Sequence, residues 1–153
     1  MQTLEPVIAA HPFFVGLKPE HVEIVTGCAS NVRFDPGEFI FREGDPADRF
    51  YLLRQGTVAL EINTPDRGPI VVQTLTAGDV LGWSWLVPPY RWRFDGRAID
   101  LVRATALDGK CLRKKCEEDH DLGYDLMQRI AYVMEQRLQA ARLQLLDLKD
   151  VRS

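Results

Sequence analysis

Between residues 32 and 107 the chain consists of short apolar runs that are separated by turn signals at near-regular intervals. The turn at Asp35-Pro36-Gly37 places proline and glycine where a type II turn needs them. Apolar and polar residues alternate over 57–63, as they do in a strand with one buried face. Roughly eight such strands, of which 96–107 is the longest, predict a β-sandwich or β-barrel of the jelly-roll kind.

Helical periodicity replaces the strand pattern at both ends of this region. A helix is predicted over about 19–28, because Pro19 suits the first helical position and apolar residues follow at helical spacing. Beyond the strands, a short helix over 110–118 precedes a long one over about 120–148, which Asp119 can cap.

The whole chain is therefore expected to form a single domain over 1–153. A helical lead over 1–30 precedes a β-roll over 31–108, and the C-terminal helices follow over 109–150. The predicted fold class is mainly β with flanking helices: an eight-stranded β-jelly-roll, or double-stranded β-helix, with an N-terminal helix and a long C-terminal dimerisation helix.

Two apolar stripes run along the long C-terminal helix. The first is a heptad seam, formed by Met127, Ala131, Met134, Leu138, Ala141, Leu145 and Leu148. The second covers only the first half of the helix and consists of Leu122, Leu126, Ile130 and Val133. Because one stripe suffices to pack the helix on its own domain, two stripes need two partners. We therefore expect the heptad seam to pair with the same helix of another chain in a parallel homodimer.

The segment over 78–98, called the 78–98 loop below, is where we expect function to lie. It contains all three tryptophans of the chain and several of its arginines. Gly82 lets the backbone turn sharply and approach another group closely, and the next residues are predicted to form a helical turn whose free N–H groups attract an anion. Arg91, Arg93 and Arg97 would supply the positive charge that a phosphate group needs.

Composition argues against several classes of function. The net charge of −3 disfavours a direct nucleic-acid partner, since duplex binding relies on a basic surface. No apolar run is long enough to span a bilayer and the N-terminus lacks a signal-peptide pattern, so we expect no membrane partner and a cytoplasmic location. Cys28, Cys111 and Cys116 are then expected to be reduced, buried thiols.

Catalysis is not expected. A jelly-roll metal enzyme needs histidines clustered on inner strand faces, but His11, His21 and His120 all lie outside the predicted strands. His11 and His21 are expected at the surface or as capping residues. No nucleophile, base and acid stand together in the sequence, and the cysteines are too few for an iron–sulfur cluster. Neither catalytic residues nor a cofactor nor a metal site are therefore predicted.

Several segments resemble the cyclic nucleotide-binding domain family. Phe14-Val15-Gly16-Leu17 resembles the family's opening motif, residues 36–56 its most diagnostic stretch, and residues 78–82 the entry to its phosphate-binding cassette. The final helices resemble those of bacterial catabolite-activator-type (Crp/Fnr-like) regulators, although no helix-turn-helix module is expected within the chain. The resemblance implies a regulatory domain in signal transduction that binds cyclic AMP or cyclic GMP and passes the signal through a hinge near Asp108 to the long helix.

The residues of the 78–98 loop leave its ligand open. The family usually has a glutamate close after the cassette glycine and an arginine later on, whereas Trp83 stands at the first position and Trp92 near the second. Three readings follow: a cyclic nucleotide that stacks on a tryptophan, another anionic and partly apolar small molecule, or a ligand-blind dimeric interaction module whose pocket is filled by Trp83 and Trp85. The candidate ligand-binding residues are Gly82, Trp83, Ser84, Trp85, Leu86, Arg91, Arg93, Arg97 and Ala98.

Overall fold

Two antiparallel sheets form the centre of the molecule. The computed structural model describes residues 4–152, with side chains described up to residue 147. The strands in this part of the chain are β1 (Ala29–Phe34), β2 (Phe39–Phe41), β3 (Arg49–Gln55), β4 (Val58–Thr64), β5 (Gly68–Leu75), β6 (Val80–Leu81), β7 (Asp95–Ala98) and β8 (Val102–Asp108). One sheet has the strand order β1-β8-β3-β6 and the other β2-β7-β4-β5. The predicted mainly-β roll of eight strands is confirmed.

Strand alternation divides the apolar side chains between two cores. In β3, Tyr51 and Leu53 belong to the core between the sheets, whereas Phe50 and Leu52 belong to the core beneath the helices. The first, called the roll core, includes Phe41, Tyr51, Leu53, Leu60, Leu81, Trp92, Ala98, Val102 and Ala104. The second, called the helix core, includes Phe14, Val25, Phe50, Leu52, Trp85, Leu107, Leu112, Leu122 and Leu126.

The long strand predicted over 96–107 is wrong, because the chain changes sheets within it. β7 lies in one sheet and β8 in the other, with residues 99–101 as the crossing. Oδ1 of Asp100 accepts a hydrogen bond from the backbone N–H of Thr57 at 2.7 Å, which fixes the crossing against the turn between β3 and β4. A strand continued through these residues would leave the roll open.

Four helices flank the roll within the described residues: α1 (Glu5–Ala10), α2 (Pro19–Thr26), α3 (Gly109–Glu118) and α4 (His120–Arg152). Asp108 caps α3, since its Oδ1 accepts the N–H of Cys111 at 3.1 Å. Asp119 caps the start of α4 as predicted, because its Oδ1 accepts the N–H of Leu122 at 3.1 Å. None of the helices in this part of the chain combines the length and apolarity of a membrane span.

The two stripes of α4 have different surroundings. Leu122, Leu126 and Ile130 are buried in the helix core and Val133 packs against it, which confirms that this stripe binds the parent domain. The heptad seam stays uncovered in the single chain: Met127, Ala131, Met134, Leu138, Ala141 and Leu145 are exposed. Leu148 lies outside the residues whose side chains are described. Pairing of the seam with a second chain stays a prediction.

Two of the cysteines are joined by a disulfide, so the expectation of three reduced thiols is wrong. Cys28 and Cys111 are bonded, with their Cα atoms 5.8 Å apart, and Cys116 is a half-buried free thiol. The pairing of β1 with β8 brings the two together, because the N–H of Asp108 donates to the carbonyl of Cys28 at 2.9 Å. Cys111 then follows in the first turn of α3.

His11 and His21 are expected at the surface or as capping residues. Surface positions are wrong, since both side chains are buried, but His11 does stand at the C-cap of α1. Nδ1 of His11 accepts the N–H of Phe13 at 3.2 Å, and its other nitrogen, Nε2, donates to the carbonyl of Leu53 at 3.1 Å. Burial lowers the pKa of His11, and the hydrogen bond to Leu53 opposes this only in part. His21 lies with Nε2 3.4 Å from a carboxylate oxygen of Asp119 at the start of α4.

Candidate functional site

The 78–98 loop turns away from β6 at Gly82. The φ angle there is 89°, in the left-handed region that favours glycine. The predicted helical turn after it is a single hydrogen-bonded turn, in which the N–H of Leu86 donates to the carbonyl of Trp83 at 3.0 Å. The loop then runs across to the turn after β2, where Arg91 forms an isolated β-bridge with Pro46. This bridge fixes the backbone just before Trp92.

Trp92 occupies the part of the roll interior that faces Gly82. Its indole ring is 4% exposed and stacks on Phe41, with ring centroids 3.7 Å apart and planes 8° from parallel. A Cβ atom added to Gly82 would lie 2.3 Å from Cζ3 and Cη2 of Trp92. One added to Gly96 would lie 2.7 Å from Cζ of Phe41. The absence of side chains at Gly82 and Gly96 thus allows the stacked pair of Trp92 and Phe41 to fill this part of the roll interior.

Trp83 and Trp85 do not fill this space, contrary to the expectation for a self-filled pocket. Trp85 is fully buried in the helix core, with its ring centroid 5.7 Å from that of Phe50. Trp83 is half-buried at the edge of that core, and the guanidinium carbon of Arg137 lies 5.0 Å from its ring centroid. Because Gly82 reverses the chain, the residues directly after it pack beneath α3 and α4 instead of inside the roll.

The three arginines predicted to bind an anion are not brought together. Arg91 is exposed and its Nη1 donates to the carbonyl of Gly44 at 3.2 Å, while Arg93 is exposed one residue beyond Trp92. Arg97 forms a bidentate ion pair with the buried Glu61, through hydrogen bonds of 3.0 and 2.9 Å. The Glu61 carboxylate therefore already neutralises Arg97, which leaves that arginine little capacity to bind a second anion.

The remaining candidate residues lie in the protein core or pack against it. Ser84 is buried at 8% exposure and Leu86 packs on the helix core. Ala98 lies in the roll core, and its N–H donates to the carbonyl of Glu38 at 2.9 Å. Because neighbouring residues of a strand face opposite sides of the sheet, Arg97 lies on the face away from Ala98. These two candidates therefore cannot contact the same ligand.

A cavity of about 560 Å³, called the α4 cavity, opens between the β5–β6 turn and α4. Its lining is polar and apolar in about equal parts and is formed by Pro12, Phe13, Gln73, Thr74, Leu75, Gly78, Asp79, Val80, Asp125, Gln128, Arg129, Tyr132, Val133, Gln136 and Arg137. Two guanidinium groups contribute to this wall. Arg129 donates hydrogen bonds to Asp125 and to the carbonyls of Phe13 and Val15, the latter two at 2.7 and 2.9 Å. Arg137 retains a donor without a partner among the described residues.

Arg137 is held at the cavity by its neighbours but is only partly paired. Its Nη2 donates to the carbonyl of Val80, and its Nη1 is buried with no hydrogen-bond partner among the described residues. Burial lowers the pKa of Arg137 to about 10, and the nearby Asp79 carboxylate opposes this shift. A buried cation with an unused donor favours an anionic partner.

Sequence reasoning missed Arg137, although a signal for it exists. The buried stripe of α4 ends at Ile130 and Val133, and the next position at the same helical spacing is 137. An arginine that continues an apolar stripe must bury its stem on the parent domain and find a polar contact for its head. The spacing therefore predicts that the guanidinium of Arg137 lies against the roll.

The chain belongs to the cyclic nucleotide-binding domain family, because the family model of that description matches residues 31–119, more than half of the chain. A relative, the CRP-like cAMP-activated global transcriptional regulator of Mycobacterium tuberculosis, is 25% identical over 145 residues, which are 95% of this chain and 63% of the relative. The chain thus spans less than two thirds of that relative's length. No DNA-binding module is evident within residues 4–152.

Solved structures show the same fold. A putative cyclic nucleotide-binding protein from Geobacter metallireducens has 29% sequence identity and a TM-score of 0.79, over 90% of this chain and 99% of that one. A cyclic nucleotide-binding domain from Methylobacillus flagellatus has a TM-score of 0.83 at 16% identity, over 96% and 86% of the two chains. The second likeness carries the fold alone.

Proposed function

We propose that this chain is a regulatory domain whose cyclic-nucleotide position is occupied by its own Trp92, so that cyclic AMP and cyclic GMP do not bind there. The observation that carries this proposal is the contact between the Cα of Gly82 and the indole of Trp92, where even a methyl group would come within 2.3 Å. A purine ring or a cyclic phosphate cannot share that space. The ligand-blind reading is thereby retained, with Trp92 in place of Trp83 and Trp85.

The chemistry around the loop supports the proposal independently. No carboxylate lies between Gly82 and Asp95 to accept a hydrogen bond from a ribose hydroxyl. Asp95 itself is buried and accepts the N–H of Glu43 at 2.8 Å and the side-chain amide of Asn63 at 3.0 Å. The resemblance to the family implies an arginine that binds the cyclic phosphate. Arg97 is not free for that role, because it forms an ion pair with Glu61.

Calorimetric titration tests the proposal. Cyclic AMP and cyclic GMP injected into the wild-type chain should give no saturable heat. The same titrations on Trp92→Ala report whether removal of the indole restores room for a nucleotide. Saturable binding to the wild type that is abolished by Arg91→Ala/Arg93→Ala would contradict the proposal and restore the first reading, in which those arginines hold the phosphate.

The α4 cavity favours a second candidate function, the sensing of a small anion other than a nucleotide bound at Gly82. Arg137 carries an unpaired donor, Nη1, which would turn from its buried position to meet a ligand, and Phe13 and Val133 add apolar surface to the cavity. An anion at Nη1 would touch α4 and the β5–β6 turn together. Ligand there could shift the position of α4 only to the extent that it binds one arrangement more tightly than another.

Thermal shift measurements test this second function. Inorganic phosphate, 5′-AMP and succinate are the probes, each compared at equal ionic strength with sodium chloride. Stabilisation by any of them should vanish in Arg137→Met and persist in Arg142→Met, which removes an exposed arginine from the same helix. Equal shifts in both variants would indicate nonspecific screening and would remove Arg137 from consideration.

We further propose that α4 is the output, through homodimerisation along its exposed seam. A single chain leaves Met127 at 58%, Leu138 at 52% and Leu145 at 67% exposure. Side chains of this kind at heptad spacing are stable when they interlock with a second helix. Any change in the position of α4 would then alter the spacing of two domains, which a partner can read.

A further inference from the structure

The disulfide between Cys28 and Cys111 spans the junction between the roll and the C-terminal helices. Cys28 stands between α2 and β1, and Cys111 lies in the first turn of α3, three residues after β8 ends. The bond therefore ties α3 to the start of β1, at the same end of the sheet from which α3 emerges. The two cysteines are 83 residues apart in sequence, so the bond is a long-range constraint on the start of α3.

α3 contacts both the 78–98 loop and the output helix. Nη1 of Arg113 donates to the carbonyl of Trp85, and its guanidinium carbon lies 4.1 Å from the ring centroid of Tyr90. On the other side, Gly123 of α4 packs so closely on Cys116 that an added Cβ would lie 3.2 Å from the cysteine's Cβ. A change in the mobility of α3 would therefore alter its contacts with the 78–98 loop and with α4.

The disulfide is also within reach of solvent. A cleft of about 260 Å³ opens beside it, lined by Arg49, Ala106 and Asp108 as well as by both half-cystines. Cys28 is 8% exposed and Cys111 is half-buried, so Cys111 is the more exposed residue of the two. Arg49 and Asp108 contribute charges of opposite sign to the cleft wall.

We propose that this cleft is a thiol–disulfide exchange site, at which a small thiol or a dithiol protein opens the Cys28–Cys111 bond and releases α3. A reductant thiolate attacks Sγ of Cys111, the Cys28–Cys111 bond breaks, and Cys28 leaves as a thiolate that takes a proton. A second reductant thiolate then attacks the mixed disulfide. The reductant is oxidised to its own disulfide by two electrons, and Cys111 is released as a thiol.

The oxidised and reduced forms differ in how α3 is attached. In the oxidised form, the bond, the Asp108 cap and the packing of Leu112 hold the first turn of α3. In the reduced form the cap, the packing of Leu112 and the hydrogen bond from the N–H of Gly109 to the carbonyl of Asp48 remain, while the covalent tie is lost. α3 and the loop residues that Arg113 contacts should therefore open more often. The redox state of one bond would therefore set the rigidity of the link between the 78–98 loop and α4.

Mass spectrometry of the 153-residue chain tests the proposal in two steps. Alkylation under denaturing conditions should label one thiol, Cys116, after oxidation and three after reduction. Incubation of the folded, oxidised chain with reduced glutathione should then convert the first species to the second, and hydrogen exchange should rise several-fold over 85–90 and 109–118. The unfolding temperature should fall by about 5–15 °C.

Two variants separate this device from a purely structural bond. Cys28→Ser/Cys111→Ser should match the reduced wild type and lose its response to reductant, whereas Cys116→Ser should respond as the wild type does. Burial raises the pKa of the Cys116 thiol, which makes it a poor nucleophile for the exchange. Should the double variant fail to fold, the glutathione experiment on the wild type still decides. Three alkylated thiols after oxidation, resistance of the folded chain to glutathione, or unchanged exchange in α3 upon reduction would each overturn the proposal.

Discussion

The space beside Gly82 and the α4 cavity adjoin opposite ends of the same short segment, yet they have opposite character. The first is filled by Trp92, which is stacked on Phe41 and surrounded by aliphatic side chains. The second is open, is lined by polar and apolar groups in about equal parts, and is bounded by a partly unpaired arginine. In this chain, a motif that resembles the family's binding position packs against an indole, and the binding site that we propose lies a few residues away.

The reason lies in what each residue requires. A buried indole supplies a large apolar area and is stabilised by close packing on all sides, so Trp92 contributes to folding whether or not a ligand exists. A buried guanidinium with an unused donor is unfavourable in the empty protein. Residues of the first kind explain the fold, and residues of the second kind need a further explanation, for which we propose a ligand. The comparison yields four predictions.

Substitution of Gly82 should have the largest effect. Gly82→Ala places a methyl group 2.3 Å from the Trp92 ring and forces alanine into a φ of 89°, and we expect it to lower the free energy of unfolding by about 3–5 kcal/mol. Gly37→Ala is the matched control, because its φ is 85° and no atom lies within 4 Å of the added Cβ. That variant should lose only about 1–2 kcal/mol. Equal losses in urea unfolding would mean that Trp92 does not fill the space.

The heptad seam should come next. Leu138→Glu introduces a charge into the proposed helix pair and should weaken self-association about 100-fold, or about 2.7 kcal/mol. Gln139→Glu, which adds the same charge at the neighbouring exposed position, should leave association unchanged. Sedimentation velocity over a concentration series measures both. A wild-type chain that stays monomeric, or two variants that behave alike, would show that the seam is not the interface.

Acidification should lower the free energy of unfolding through the buried His11. Burial holds the pKa of His11 below that of the unfolded chain, so the unfolded state binds more protons on acidification and stability falls as pH drops from 7.5 to 5.5. His11 donates to the carbonyl of Leu53, which also accepts the N–H of Gly78 in the cavity wall. His11→Gln should flatten this pH dependence in chemical unfolding curves. An equally steep fall in the variant would assign it to other groups.

The smallest effect on stability is expected at Arg137. Arg137→Met keeps an apolar stem against Trp83 and removes a buried charge, so the free energy of unfolding should change by less than about 1 kcal/mol. Binding of an anion at the α4 cavity should nevertheless be lost. A loss of several kcal/mol in thermal or urea unfolding would instead make Arg137 a structural residue and would remove the contrast with Trp92.

The fold could be predicted from the sequence because its signals are local. Turn residues such as Pro36 and Gly37, strand alternation in β4, and the spacing of Leu122, Leu126 and Ile130 each depend on a few neighbours. The single strand predicted over 96–107 is wrong although a local signal is present: the apolar pairs Ala98-Ile99 and Leu101-Val102 interrupt the alternation on either side of Asp100. The hydrogen bond from Thr57 to Asp100 lies at this change of sheet.

The site could not be predicted to the same extent, because it depends on where the backbone goes after Gly82. Trp83, Trp85 and Trp92 are equally able to fill a pocket by composition, and only the path of the loop sends Trp92 into the roll. The burial of His11 and the bond between Cys28 and Cys111 are likewise contacts between distant segments. No spacing rule connects two residues that meet through strand pairing and a helix start.

A single-tryptophan chain tests the occupancy of the Gly82 position most directly. With Trp83→Phe and Trp85→Phe, all indole fluorescence comes from Trp92. The structure predicts blue-shifted emission, weak quenching by acrylamide, and no saturable change when cyclic AMP or cyclic GMP is added. Emission typical of exposed indole, or a saturable change with either nucleotide, would show that Trp92 leaves the roll and that the position beside Gly82 is open to ligand.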